Sequence, residues 1–269
     1  MISHRKIRSC LLGLAVALTI SACHFGSGSL TPGNGDTNPV TPQFAAEGLW
    51  TGTDSASLLT VTGIVDSDGR SVFIRADGLE FAGTLGVSGS SVAAGVDGYV
   101  NYGSTFNDGS TYGVGTVSGP VTASESLSLT LQFNTSANTA LTTTWDLSFL
   151  TLSTSGGTLA KISGTYTDAV TGATVSISTA GVLSAQSATA GWTDCVLTGT
   201  VTVPDANFDV YDVTYTYASC TGNWASLNGV SFSGLALLNT NNTPNQIIMG
   251  AYGDDGSGDY GIITTLNRS

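Results

Sequence analysis

Leu127, Leu129, Leu131 and Phe133 alternate with Ser128, Thr130 and Gln132. A repeat of two puts every apolar side chain of the run on one face of a strand, whereas a helix would scatter them round its axis. The same alternation carries Trp145, Leu147 and Phe149 among Thr144, Asp146 and Ser148, and Tyr211, Val213, Tyr215 and Tyr217 among Asp212, Thr214 and Thr216. Half-apolar strands of this kind belong to antiparallel sheets that cover a core on one side and meet water on the other. The runs are punctuated by Asp68-Gly69, Asp77-Gly78, Asp97-Gly98, Asp108-Gly109, Asn228-Gly229 and Asp255-Gly256, pairs that supply the positive φ of tight hairpin turns. No stretch longer than about ten residues repeats at 3.6 with helix-forming composition. The expectation is an all-β, antiparallel fold of about sixteen short strands with almost no helix.

The two halves open alike. Gly48-Leu49-Trp50-Thr51-Gly52-Thr53 is followed by Leu58-Leu59-Thr60-Val61-Thr62, and Ile162-Ser163-Gly164-Thr165-Tyr166-Thr167 by Ala173-Thr174-Val175-Ser176-Ile177. This suggests an internal duplication, joined at Ser153-Thr154-Ser155-Gly156-Gly157. A single core seldom extends far past about 200 residues, so two small barrel-like lobes are expected, lipocalin-like or sandwich, over 46–156 and 157–269. A barrel that spans a membrane needs strands of about 9–11 residues and two aromatic girdles. Most runs here are shorter, and the 9 Tyr, 9 Phe and 4 Trp follow no two-ring pattern.

Residues 1–22 read as an export signal, with Arg5, Lys6 and Arg8 ahead of an apolar run from Leu11 to Ile20 that is short of the roughly 20 residues a membrane helix needs. Ile20-Ser21-Ala22-Cys23 resembles the bacterial lipobox. That resemblance implies cleavage before Cys23, lipidation of its sulfur and, with His24 and not Asp next, sorting to the outer membrane. Residues 23–45 then form a Gly/Ser/Pro tether; about 22 such residues reach roughly 25 Å. Processing would remove three cations and no acid, leaving Arg70, Arg75, Lys161 and Arg268 against 19 carboxylates, a formal −15 in place of −12. So acidic a body is unsuited to nucleic acid, which is bound through clustered Lys and Arg. It would be held at the membrane by acyl chains alone.

Cys195 and Cys220 are the cysteines of the body. In an oxidising compartment, at strand edges, they are expected to form a disulfide, worth about 3 kcal/mol in the chain-entropy model. The stretch from Leu159 to Ile263, with Ser163-Gly164-Thr165-Tyr166, Cys195-Val196-Leu197-Thr198-Gly199, Val210-Tyr211-Asp212-Val213, Cys220 and Gly234-Leu235-Ala236, resembles the C-terminal part of a group of uncharacterised proteobacterial lipoproteins. Their front part similarly begins with a Gly-x-Trp-x-Gly strand, here Gly48 to Gly52. The resemblance implies a β-rich surface lipoprotein and carries no catalytic residue. Gly48-Leu49-Trp50 also resembles the first strand of lipocalins, with Trp50 expected to plug the core.

His4 and His24 are the only histidines. A body without histidine has no Ser-His-Asp triad and no imidazole ligand for zinc. Phosphate-loop, Rossmann and Ser-x-x-Lys signatures are missing from the body too, so no catalytic residue and no cofactor are expected. Asp66 and Asp68, and Asp254, Asp255 and Asp259, sit in acidic Gly-rich turns that offer oxygen ligands to calcium without the twelve-residue loop of an EF-hand. Trp192, Phe208 and Trp224 flank the cysteines in sequence and could stack on a sugar. The expected protein is a non-catalytic, lipid-anchored envelope module, binding or structural. Its candidate partners are a glycan, a small apolar ligand or an envelope protein, besides the membrane itself. The alternatives are a carboxylate-dependent hydrolase of envelope polysaccharide, needing two acids in one cleft, and a calcium-dependent surface adhesin.

Overall fold

A computed structural model describes residues 42, 44–186, 195–254 and 259–269. The signal segment, Cys23, most of the tether, Trp192 and the Asp255-Gly256 turn lie outside the described residues. The alternating runs form strands, and the apolar member of each pair points inward: in β8 (Ser126–Thr135) Leu127, Leu129, Leu131 and Phe133 are all buried. The N-terminal barrel also comprises β1 (Gly48–Asp54), β2 (Thr60–Val65), β3 (Arg70–Arg75), β4 (Leu79–Thr84), β6 (Ser91–Val100), β7 (Tyr112–Thr122) and β9 (Ala140–Phe149). These eight close antiparallel, because β4 pairs with β6 as well as β3; the three-residue β5 (Gly86–Ser88) hangs on β6.

The second barrel closes in chain order: β10 (Gly164–Asp168), β11 (Thr174–Ile177), β12 (Val182–Gln186), β13 (Val196–Thr202), β14 (Val210–Ala218), β15 (Ser231–Asn239), β16 (Gln246–Asp254) and β17 (Asp259–Arg268). Closure leaves this second barrel no open sheet edge among the described residues. Helix is limited, among the described residues, to α1 (Leu159–Ile162) and two 3-10 turns, Thr151–Ser155 and Gly222–Leu227.

Neither interior is hollow. Trp50, Phe73, Phe81, Phe133 and Trp145 fill the first barrel, and Tyr166, Tyr211, Tyr215, Tyr217 and Phe232 the second. Glycines make the room. Asp97-Gly98, expected to turn a hairpin, runs instead through β6, because Gly98 lies beneath the Phe133 ring, where a Cβ would stand 2.5 Å from its edge.

The opening hairpins are built alike. Trp50 Nε1 donates to Ala46 O and Tyr166 OH to Ile162 O, each four residues back. Asp54 Oδ1 accepts from the N–H groups of Ala56 and Ser57 and the Ser57 hydroxyl, and Asp168 Oδ1 from Val170, Thr171 and the Thr171 hydroxyl. The same side-chain-to-backbone scheme in both barrels supports the duplication read from the sequence.

The barrels lie side by side within one unit, Val40–Ser269. Leu49, Ile64, Val72, Ile74, Ala82 and Tyr99 of the first pack on Phe208, Val210, Leu235 and Leu237 of the second. Apart from Phe208, on the connection before β14, these are the outward members of strands whose inward members fill a barrel, so β2 and β3 are apolar on both faces. Gly250 and Gly261 allow the approach: a Cβ there would lie 2.6 Å from Val72 Cγ1 and from Tyr99 Cβ. Since every stave reverses direction, the turns alternate between two ends. Residues 55–59, 76–78, 101–111 and 136–139 cluster at one end of the first barrel, beside 219–230 of the second. The chain comes into β1 at the other end, where Phe44 packs near Gly69.

Candidate functional site

All four cations of the body are committed inside the fold. Arg70 Nη2 lies 2.7 Å from Asp66 and 2.5 Å from Asp212, tying the barrels together. Arg268 sits 5.7 Å over the Tyr166 ring and donates to Ser163 O. Lys161 Nζ donates to Ser155 Oγ at 2.7 Å, Gly156 O at 3.0 Å and buried Asp209 at 2.7 Å. A serine beside a lysine invites a nucleophilic reading, but these three bonds use all three ammonium hydrogens, and the Ser155 hydroxyl donates to Leu152 O. The cluster locks the joint between the barrels. Among the described residues every cation has an internal partner.

The fourth cation, Arg75, stands at the mouth of the first barrel. Below it Asp54 is fully buried, bonded to Trp145 Nε1 at 3.0 Å and to Arg75 Nη1 at 3.3 Å. Burial alone would raise this carboxyl, but hydrogen bonds from Ser57, Trp145 and Thr143 hold it down at about 2. Arg75 also forks onto Asp77, with both bonds at 2.9 Å. A bidentate pair of this kind fixes orientation as well as charge, so the floor of the mouth is rigid.

Over this floor folds the eleven-residue connection 101–111, the longest in its barrel. Phe106 drops from it into the mouth, 5.7 Å from the Phe133 ring. A groove of about 180 Å³ runs between Phe106 and Leu79, Phe133 and Leu141. A second, of about 150 Å³, lies on its other side among Val100, Ser104 and Asp77. Asp108 forms the rim, bonded to Ser110 and Thr135, and those hydrogen bonds hold its carboxyl well below the usual range.

The root of the connection is pinned to the other barrel. Tyr102 N–H donates to Gly261 O at 2.9 Å, its hydroxyl donates to Asn223 O at 2.5 Å, and its ring lies 4.9 Å from Trp224 and 5.7 Å from Tyr260. Trp224, expected as a sugar platform, is half-buried in this contact and packs on Tyr217. Cys195 and Cys220 are disulfide-bonded just beneath. Asn228 bonds both N–H and C=O of Cys220, which fixes the Gly222–Leu227 turn. Phe208 is not part of this region: it is fully buried between the barrels, on the connection leading into β14, so it offers no ring to a ligand.

The calcium candidates are dispersed. Asp66 is buried, its Oδ1 accepting from the N–H groups of Asp68 and Arg70, with the Arg70 guanidinium where a cation would stand. Asp68 is exposed at the turn. Asp254 and Asp259 face each other across β16 and β17, and burial followed by the charges of Asp254 and Asp97 raises Asp259. Among the described residues no group of three acids, histidines or cysteines has metal-binding geometry.

Glu80 was invisible to sequence reasoning as anything but a surface residue. It is fully buried between the barrels beside Val72 and Gly250, with the N–H of Ala251 facing it, and neither oxygen makes a well-formed hydrogen bond. Burial pushes its carboxyl up to about 8.

The outer wall of the second barrel is a lattice of hydroxyls paired across strands, Thr200 with Thr214 at 2.8 Å and Ser176 with Ser184 at 3.0 Å. Two shallow grooves of about 340 and 350 Å³ run between them.

Fold and mouth together define a double eight-stranded, up-and-down barrel with filled interiors and one end covered by the connection 101–111. No family model and no curated protein matches the sequence. Among solved structures the chain is similar to a crystal structure described as a "putative outer membrane protein" from Bacteroides fragilis, with 15% identity over 83% of this chain and 96% of that one. The TM-score is 0.23, so fold and function rest on this chain's own residues.

Proposed function

We propose that this chain is a non-catalytic bacterial envelope lipoprotein, anchored in the outer membrane through Cys23, whose double barrel is a binding module. The observation that carries the reading is topological. The chain comes into the body at one end of the first barrel, and the mouth with the connection 101–111 over it lies at the opposite end. A tether leading from a lipidated cysteine would leave that mouth facing away from the membrane. Three features support it: the lipobox-like Ile20-Ser21-Ala22-Cys23, a cysteine pair suited to an oxidising compartment, and a body whose cations are all consumed internally. Such a body has nothing with which to grip anionic headgroups and depends on acyl chains for attachment.

Expressing the full chain as wild type and as Cys23→Ala, with labelled palmitate, tests the anchor. Wild type should take up label and sediment with membranes, and the variant should do neither. Membrane association of the unlabelled variant would overturn the reading.

A further inference from the structure

Phe106 is an apolar residue isolated in Asn101-Tyr102-Gly103-Ser104-Thr105-Phe106-Asn107-Asp108-Gly109-Ser110, a run otherwise suited to solvent apart from the anchored Tyr102. Its ring occupies a barrel mouth that remains open on both sides of it. Each flanking groove is too small for a ligand, but joined through the space the ring fills they reach the lower end of the roughly 300–1,000 Å³ typical of small-molecule sites.

The connection is held on both sides of Phe106. Tyr102 and Asn101 are fastened to the second barrel. Beyond them, Gly103 and Gly109 have φ of +86° and +84°, and a Cβ at either would meet nothing within 4 Å. Positive φ at no steric cost is what glycine brings to a turn. The Phe106 ring seats the tip on the wall, Asp108 is held at the rim by Thr135, Thr139 and Ser110, and the Phe106 N–H donates to Ser110 O.

We propose that Phe106 stands in for a ligand: its side chain rotates out of the mouth while Asp108, held by Ser110 and Thr135, stays on the rim, and the vacated seat takes a small aromatic amine. The seat fits a phenyl ring because it holds one. The charge around it selects the rest. Asp77 and Asp108 line the two grooves with Arg75 as the sole cation among the lining residues, and Arg75 is already shared by Asp77 and the buried Asp54 beneath it. An ammonium carried on the ring finds Asp108 at the rim, whereas a carboxylate is repelled. This deepens the binding reading above without depending on the anchor, which fails or holds by where the protein fractionates.

The test titrates the full chain, in detergent, with phenethylamine and phenylacetate, which share a ring and differ in charge. Replacing the plug frees a seat that is otherwise mostly closed, and apparent affinity rises as the open fraction rises. Phe106→Ala should bind phenethylamine at least tenfold more tightly than wild type, and phenylacetate at least tenfold more weakly than phenethylamine. Ala140→Trp, filling the rim from β9, should abolish the gain in the Phe106→Ala background. Should Phe106→Ala fail to fold, Phe106→Leu should show a smaller gain with the same charge preference. Equal amine affinity in wild type and a folded Phe106 variant, equal binding of both probes, or a gain that survives Ala140→Trp would each overturn the proposal.

Discussion

Glu80 shows how little a residue's own neighbours in sequence say about its state. It sits between Leu79 and Phe81 on β4, so its outward face would ordinarily meet water, and only the second barrel, arriving from more than 150 residues further along, covers it. Val72 and Gly250 close on it, and burial away from water disfavours its charged form. An acid raised from 4.5 to about 8 binds its proton more tightly in the folded state than in the unfolded chain. Its contribution is therefore fully favourable below about 4.5 and is lost as pH rises towards 8. The loss amounts to several kcal/mol, since each tenfold change in proton affinity is worth about 1.4 kcal/mol. Urea midpoints of wild type should fall between about pH 5 and pH 9. Glu80→Gln, which keeps the shape of the protonated acid, should remove most of that fall. A variant with the wild-type slope would show that Glu80 titrates normally.

At the scale of the element, what could be read from the sequence was the period. Leu127 to Phe133 and Tyr211 to Tyr217 became strands with the predicted faces inward because alternation is a local property that survives any tertiary arrangement. Glycine was harder, since one residue type does two jobs. Gly69 and Gly78 turn hairpins at positive φ, as their Asx-Gly setting indicated, whereas Gly98 has the same setting and serves as a gap under Phe133. The partner that decides between the two lies on another stave. Of the site, Trp50 and the cysteine pair were legible, but Arg75, Asp54 and Tyr102 were not, because their roles are set by contacts across dozens of residues. The isolated Phe106 in a polar run was the one available signal. Two glycines of β6 separate these roles by experiment. Gly98→Val should overpack the barrel and cost about 1–3 kcal/mol or more. Gly95→Val, outward with nothing within 4 Å of its Cβ position, should be neutral or slightly stabilising through its better strand propensity. Thermal melts of the pair giving the same shift would refute the assignment of Gly98 to ring packing.

For the whole molecule, the question is whether two closed barrels behave as one body. Each has its own filled interior, and in principle each could fold alone. The contact between them is nonetheless of interior quality: Leu49, Ile64, Val72, Phe208, Val210, Leu235 and Leu237 are all at most 2% exposed. Arg70 and Asp212 bridge one end of it and Tyr102 the other. Undocking would expose all these side chains at once and break the Arg70 link between Asp66 and Asp212, so neither barrel should melt far ahead of the other. A single calorimetric transition is expected, with van't Hoff and calorimetric enthalpies in agreement. Gly250 tests the cause, since it faces the interface and touches neither interior. In Gly250→Val the Cβ would lie 2.6 Å from Val72 Cγ1 and 3.1 Å from Glu80, a clash that can be relieved by moving the barrels apart while leaving both filled. That variant should split the transition in two and flatten the pH dependence that Glu80 imposes, because the carboxyl would regain water. If instead it melted in one lowered step with the pH dependence intact, the coupling would have to reside in the joint at 150–163.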